Sequence, residues 1–156
     1  AFGRGPGSFT GVRIAAAAAQ AIALAAEAKV VRVSSSEALA LAAVRELHLD
    51  GVISAIRSRR DLYYLAAYQR ADADVRRRAG DVLADSPPEF SDELSGWPLV
   101  GERPDWWTGE HVEVPAADAD VLLDLALRML AAGEAVPAEA GLPEYFSGDT
   151  PWRKSE

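Results

Sequence analysis

Residues 3–13 read GRGPGSFTGVR, with four glycines and a proline in one short run that leads directly into an alanine-rich stretch. Gly5, Pro6 and Gly7 dictate a tight turn, because glycine takes φ values closed to other residues and proline holds its own φ fixed. Ahead of the turn, Ala1–Gly3 reads as the end of a strand. Behind it, Ser8 or Thr10 can cap a helix running to about Glu27, since a short hydroxyl side chain accepts from the free N–H groups of a first turn. A strand, a glycine turn and a helix start form the usual geometry of a phosphate cradle. The spacing does not match its known forms. A P-loop requires a lysine after its second glycine, and none follows here. A G-x-G-x-x-G fingerprint counted from Gly5 meets Thr10, and counted from Gly3 meets Ser8. Two readings remain: a turn that lets the helix pack close to its strand, or an anion site built on Gly5, Gly7, Ser8, Phe9, Thr10, Gly11 and Arg13.

The helix that follows has two unlike faces on a 3.6-residue wheel. Ile14, Ala18, Ala21, Ile22 and Ala25 share one side and are expected to pack on a sheet. Val12, Ala16, Ala19, Gln20, Ala23 and Glu27 share the other. That second face is small and mildly polar, so a second helix, from this chain or a partner, can approach it closely. It is the candidate partner interface, with the intrinsic helix preference of alanine as the plainer explanation.

Further along, KVVRV (29–33) is short and β-branched, as a buried strand should be. Ser34 and Glu37 have capping-box spacing and open a helix to about Leu47. This alternation predicts an α/β layer. Asp50–Gly51 breaks the pattern and sets a lobe boundary, giving 1–49 as the remainder of a first lobe and 50–156 as a second. GVISAI and LYYLAAYQR, joined by a short RSRRD, predict an antiparallel hairpin. ADADVRRRAGD (71–81) reads as a loop or bend before a short strand at Val82–Ala84. SPPEFSDEL reads as a helical turn, PLVGE as a short strand, and RPDWWTGEH as a loop with exposed tryptophans. Asp118–Ala132 predicts a helix with acidic residues at its N-terminal end, Gly133 as its stop, and Leu122, Leu125, Met129 and Leu130 as its apolar face. The tail is irregular and is expected to pack back on the first lobe.

Composition narrows the function classes. The 156 residues carry a formal net charge of −8, which argues against a large nucleic-acid footprint. Arg57, Arg59 and Arg60, and Arg76, Arg77 and Arg78, read as solvated surface charge. There is no cysteine, and the two histidines, His48 and His111, lie far apart in sequence, so no metal site is expected. The most apolar helix, residues 14–26, is too short for a bilayer, and no signal peptide opens the chain. These features predict a soluble cytoplasmic protein. The chain begins inside a strand and without Met, so a segment of a longer protein is expected.

GRGPGSFTGVR closely resembles the bacterial TsaB family of tRNA threonylcarbamoyladenosine biosynthesis proteins. The likeness continues through the alanine-rich helix, VVRVSSSEALA and VISAI…YYLAAYQR. It ends in PEYF…PWRK (143–154), which is similar to the family's closing signature. The resemblance implies an α/β fold of the actin-like ATPase (ribonuclease H-like) type, with an incomplete first lobe and a second lobe of mixed sheet and helices. The family opens with an I-D-T-type strand, further strands and a helix, which have no counterpart here. Arg57 stands where the family's hairpin carries an aspartate.

What the resemblance implies is a non-catalytic scaffold without catalytic, metal or cofactor residues. It would support a TsaD-type subunit, be joined by a TsaE-type ATPase, and reach tRNA beside the anticodon only through the complex. Two alternatives stay open. One is a nucleotide-dependent enzyme or glycoprotease of the same fold, using ATP. The other is a homodimeric interaction module pairing through the same helix face.

Overall fold

The computed structural model describes residues 1–59, 61–88, 94, 96–114 and 117–146. It begins with the strand and helix that the glycine run predicts. Strand β1 (Phe2–Gly5) ends at the turn, and α1 (Phe9–Ala25) starts after it, with the Ser8 hydroxyl accepting from the Gly11 N–H at 3.4 Å. Strand β2 (Arg32–Ser34) pairs parallel with β1, Phe2 opposite Arg32. Helix α2 (Ser35–Leu47) follows at once, capped by Ser34, whose hydroxyl accepts from the Glu37 N–H at 3.4 Å. The N-cap half of the capping box is therefore present.

The remaining strands form a separate mixed sheet of five, in the order β5-β4-β3-β6-β7. Strands β3 (Gly51–Arg59) and β4 (Leu62–Ala71) are the expected antiparallel hairpin, with Ile53 opposite Ala67. Strand β6 (Leu99–Gly101) lies parallel to β3, and a two-residue strand β7 (His111–Val112), not anticipated from the sequence, lies parallel to β6. Helix α3 (Ala119–Ala131) is capped by Asp118, whose carboxylate accepts from the N–H groups of Asp120 and Val121. A 3-10 turn, Ala138–Ala140, precedes the tail.

Alternation along the strands divides the core. Val52, Tyr68 and Val100 face α2 and α3, where Leu41, Val44 and Leu125 meet them. Ile53, Leu65 and Leu99 face the other way, toward Leu94 and the rings of Trp97, Trp106 and Trp107. A third cluster, Phe2, Ala16, Ala23, Val30 and Ala138, fills the space between α1 and the two-stranded sheet.

Four expectations are corrected. Residues 71–81 are not a loop. From Asp74 they belong to β5 (Asp74–Ala84), an edge strand of 11 residues paired antiparallel with β4. An edge strand tolerates charge at outward positions and is protected from wrong pairing by it. Val75 and Ala84 point inward, while Arg76, Arg77 and Arg78 are exposed where the register shifts. The tryptophans of the 103–111 segment are partly buried on the sheet rather than exposed. In α3, Leu125 is buried and Leu122 and Met129 pack inward, but Leu130 is 54% exposed. The fourth correction concerns α1 and is given with the site. The helical turn expected in SPPEFSDEL falls largely outside the described residues, as do Trp152, Arg153 and Lys154 of the closing signature.

Candidate functional site

The glycine loop and α1 carry the sequence's candidate residues, and the structure distributes them unexpectedly. Gly5, buried at the end of β1, has φ +111°. Val12 folds back on the turn, its Cγ1 reaching the space a side chain at Gly7 would fill. Ser8 caps the helix, and Thr10 and Gly11 are exposed in its first turn. The Arg13 guanidinium lies 3.5 Å from the centroid of the Phe9 ring, and its Nε donates to the Tyr145 hydroxyl at 3.0 Å. Arg4 pairs with Glu144, Nε to carboxylate at 3.1 Å. The two arginines of the motif are thus held by aromatic and acidic groups of the same chain.

The two faces of α1 are the reverse of the expected ones. Ala16 and Ala23 are 2% and 5% exposed, packed with Phe2, Val30 and Ala138. Ala19 packs against the same cluster, and the Gln20 amide reaches the Glu139 carbonyl at 3.5 Å. Glu27 lies beyond the helix end with φ +51°. The small face does admit a close neighbour, but that neighbour is the chain's own sheet and 3-10 turn. Alanine lets the helix settle close to the sheet, and no charge between Ile14 and Ala26 marks either face as the wet one. The opposite side is the free one, with Ile14 and Ile22 exposed by 65% and 71%, and Leu24, on the other flank, by 73%. Exposed aliphatics on a helix mark a surface that can meet something else, and α3 carries a second such set, Leu123, Leu127 and Leu130, exposed by 52%, 55% and 54%. Of the residues named for the partner interface, Val12, Ala16, Ala19, Gln20 and Ala23 therefore have internal roles.

A second polar group gathers around the N-terminus of α2. The Ser36 hydroxyl donates to the Asp81 carboxylate of β5. The Asp81 side chain is 1% exposed, with the Arg77 guanidinium 3.9 Å away. Burial raises the Asp81 carboxyl above the usual carboxylate range, against the opposing pull of Ser36 and Arg77. Burial raises Glu37 as well, helped by Asp74. Tyr68, from the middle of β4, puts its hydroxyl into the same group, pushed up by burial. No sequence motif announces Ser36 or Asp81, which are 45 residues apart; only the pairing of β5 brings them together.

This burial has a pH signature. A carboxyl whose folded pKa is raised favours folding while protonated, and that contribution is lost as pH rises from the usual carboxylate range, about 4, through the raised value. Asn at position 81 keeps an acceptor for Ser36 and has no proton to lose. The stability of Asp81→Asn relative to the parent should therefore increase as pH rises from about 4 to 7. Urea unfolding at a series of pH values measures it, and a pH-independent difference would mean that Asp81 is not held protonated by burial.

Among the described residues, no group of three or more His, Cys, Asp or Glu side chains could hold a metal ion. Among the same residues, no helix is long and apolar enough to cross a membrane.

Residues 1–91 match the family model described as TsaD, tRNA N6-adenosine threonylcarbamoyltransferase. Over 99% of its length the chain is 35% identical to the tRNA threonylcarbamoyladenosine biosynthesis protein TsaB of Escherichia coli, covering 72% of that protein. It is 29% identical to the protein of the same name from Haemophilus influenzae, again over 72% of it. Among solved structures, YeaZ from Pseudomonas aeruginosa superposes with a TM-score of 0.77 at 32% identity, over 92% of this chain and 72% of that one. A second Pseudomonas aeruginosa structure, of an uncharacterized protein with similarity to the peptidase YEAZ, gives 0.79 at 33% identity, over 92% and 70%. The fold is thus the actin-like, ribonuclease H-like α/β fold, as the glycine run and its neighbours led one to expect.

Proposed function

The chain belongs to the TsaB family of tRNA threonylcarbamoyladenosine biosynthesis proteins, and we propose that within that process it is a non-catalytic subunit that docks on a TsaD-type protein through α1. The observation that carries this reading is the uncovered side of α1 on which Ile14 and Ile22 are exposed. A helix with no charge on that face suits another helix better than it suits a polar substrate. The engagement of Arg13 with Phe9 and Tyr145 supports the same reading, since the motif's cation is already occupied. The net charge of −8 favours a protein partner over direct grip on tRNA. In this reading tRNA and a TsaE-type ATPase meet the chain only through the assembly, in the cytoplasm, and ATP is not its ligand.

Light scattering on the protein alone, on a TsaD-type protein, and on their mixture tests the proposal. A heterocomplex is the expected result, with no saturable heat when ATP and Mg²⁺ are titrated into the protein alone. If the chain forms only its own dimer and leaves the TsaD-type protein free, the docking assignment fails. Saturable nucleotide binding by the chain alone would replace it with the enzyme reading.

A further inference from the structure

We propose that Pro143–Phe146 is a strap that fixes the start of α1, and that Glu144 and Tyr145 are positioning residues for the helix. Among the described residues the two sheets share no ladder of hydrogen bonds, and α1 stands on the smaller one, packed against Phe2 and Val30. The strap crosses from one to the other. The Glu144 N–H donates to the Arg4 carbonyl of β1 at 2.9 Å, and its carboxylate pairs with the Arg4 guanidinium. The Tyr145 hydroxyl accepts from Arg13, one turn into α1. The next residue, Phe146, sets its ring 5.2 Å from that of Tyr64, a fully buried residue of β4. Three consecutive residues thus hold a strand end, a helix start and the central part of the larger sheet.

The glycine turn is shaped to receive this segment. A Cβ at Gly5 would stand 3.5 Å from the Glu144 carbonyl oxygen, at a φ that side chains rarely adopt. Arg13 makes two aromatic contacts, its guanidinium 3.5 Å from the Phe9 ring centroid and 5.4 Å from that of Tyr145, to whose hydroxyl its Nε donates. A planar cation packed on one ring and hydrogen-bonded through its Nε–H is held in orientation as well as in place. Each link is partly exposed and weak alone. The Tyr145–Arg13 link acts on α1 directly, and the Glu144–Arg4 links hold the strand end that leads into it.

The link from strap to partner binding rests on the reading of α1 as the docking helix; the strap itself does not. Amide hydrogen exchange on the Glu144→Ala/Tyr145→Ala double variant separates the two. Exchange at residues 11–14 is expected to quicken at least about tenfold while β3 and β4 exchange as in the parent, because only local opening is made easier. Affinity for the TsaD-type protein should fall about fivefold, as the helix spends less time in its docking orientation. Unchanged exchange at 11–14 overturns the strap. A uniform rise that includes β3 and β4 also overturns it, since the segment would then add only general stability. Faster local exchange with full affinity upholds the strap and counts against docking through α1.

Discussion

Replacing Gly101 with alanine is expected to lower the unfolding free energy by about 2–6 kcal/mol. Gly101 ends β6 with φ +95°. A Cβ there would lie 2.3 Å from the Ala55 carbonyl oxygen and 2.8 Å from Leu39 Cδ2. Ala55 belongs to the central strand and is fully buried, and its carbonyl accepts from the Glu102 N–H at 3.0 Å. The Gly101 carbonyl is itself held, 3.0 Å from the His111 ring nitrogen. The backbone therefore has little freedom to move away. Two costs add: about 1–3 kcal/mol for a side chain at this φ, and about 1–3 kcal/mol for overpacking against backbone. For a domain with about 5–15 kcal/mol to lose, the melting temperature should drop by about 10 °C or more. Gly133→Ala is the control. Its φ is +79°, but no atom lies within 4 Å of its absent Cβ, so it meets only the first cost. Thermal unfolding of the two variants side by side measures the difference. Equal losses would show that the β6–β3 contact yields freely and that only conformation matters.

The parts of this fold that were legible in the sequence are those written in short-range chemistry. Ser34 and Glu37 fix the start of α2 because a cap is a contact across three residues. Gly5, Pro6 and Gly7 fix the turn for the same reason. The β3–β4 hairpin follows from two β-rich runs and a short joint. What escaped depends on partners distant in sequence. Strand β5 looks like a loop because Arg76, Arg77 and Arg78 have a polar surface to face, and only the ladder to β4 makes them a strand. The pairing of Ser36 with Asp81 depends on that same ladder. Helix α1 turns its faces opposite to the wheel's expectation because alanine is equally at home inside and outside, so the wheel carries almost no contrast. Its orientation is set by Phe2 and Val30 beneath it and by Ala138, more than 110 residues downstream. One signal was present in the sequence. Aliphatic bulk on α1 lies off its small face, at Ile14, Ile22 and, on the other flank, Leu24, and bulk is not needed where a helix must lie close to a sheet.

The assignment of that face leads to the largest functional effect expected. Ile14→Asp combined with Ile22→Asp should weaken binding of the TsaD-type protein by at least about a hundredfold, equivalent to about 3 kcal/mol. Truncating a well-buried interface side chain commonly costs more than about 1 kcal/mol, and an unpaired carboxylate buried in its place adds a desolvation cost. The same change should leave the fold intact. Both positions are more than 60% exposed, and surface substitutions away from special features usually alter stability by no more than about 0.5 kcal/mol. The companion variant is Ala16→Leu on the buried face, where Ala16 is 2% exposed against Phe2 and Val30. That change should destabilise the protein by about 1–3 kcal/mol through overpacking, with binding altered only through folding. Titration calorimetry together with urea unfolding separates the pair. Loss of binding with unchanged stability at Ile14 and Ile22 assigns the exposed face to the partner. Full affinity in the double aspartate variant would place the contact elsewhere, and α1 would then be only the packing element between turn and sheet.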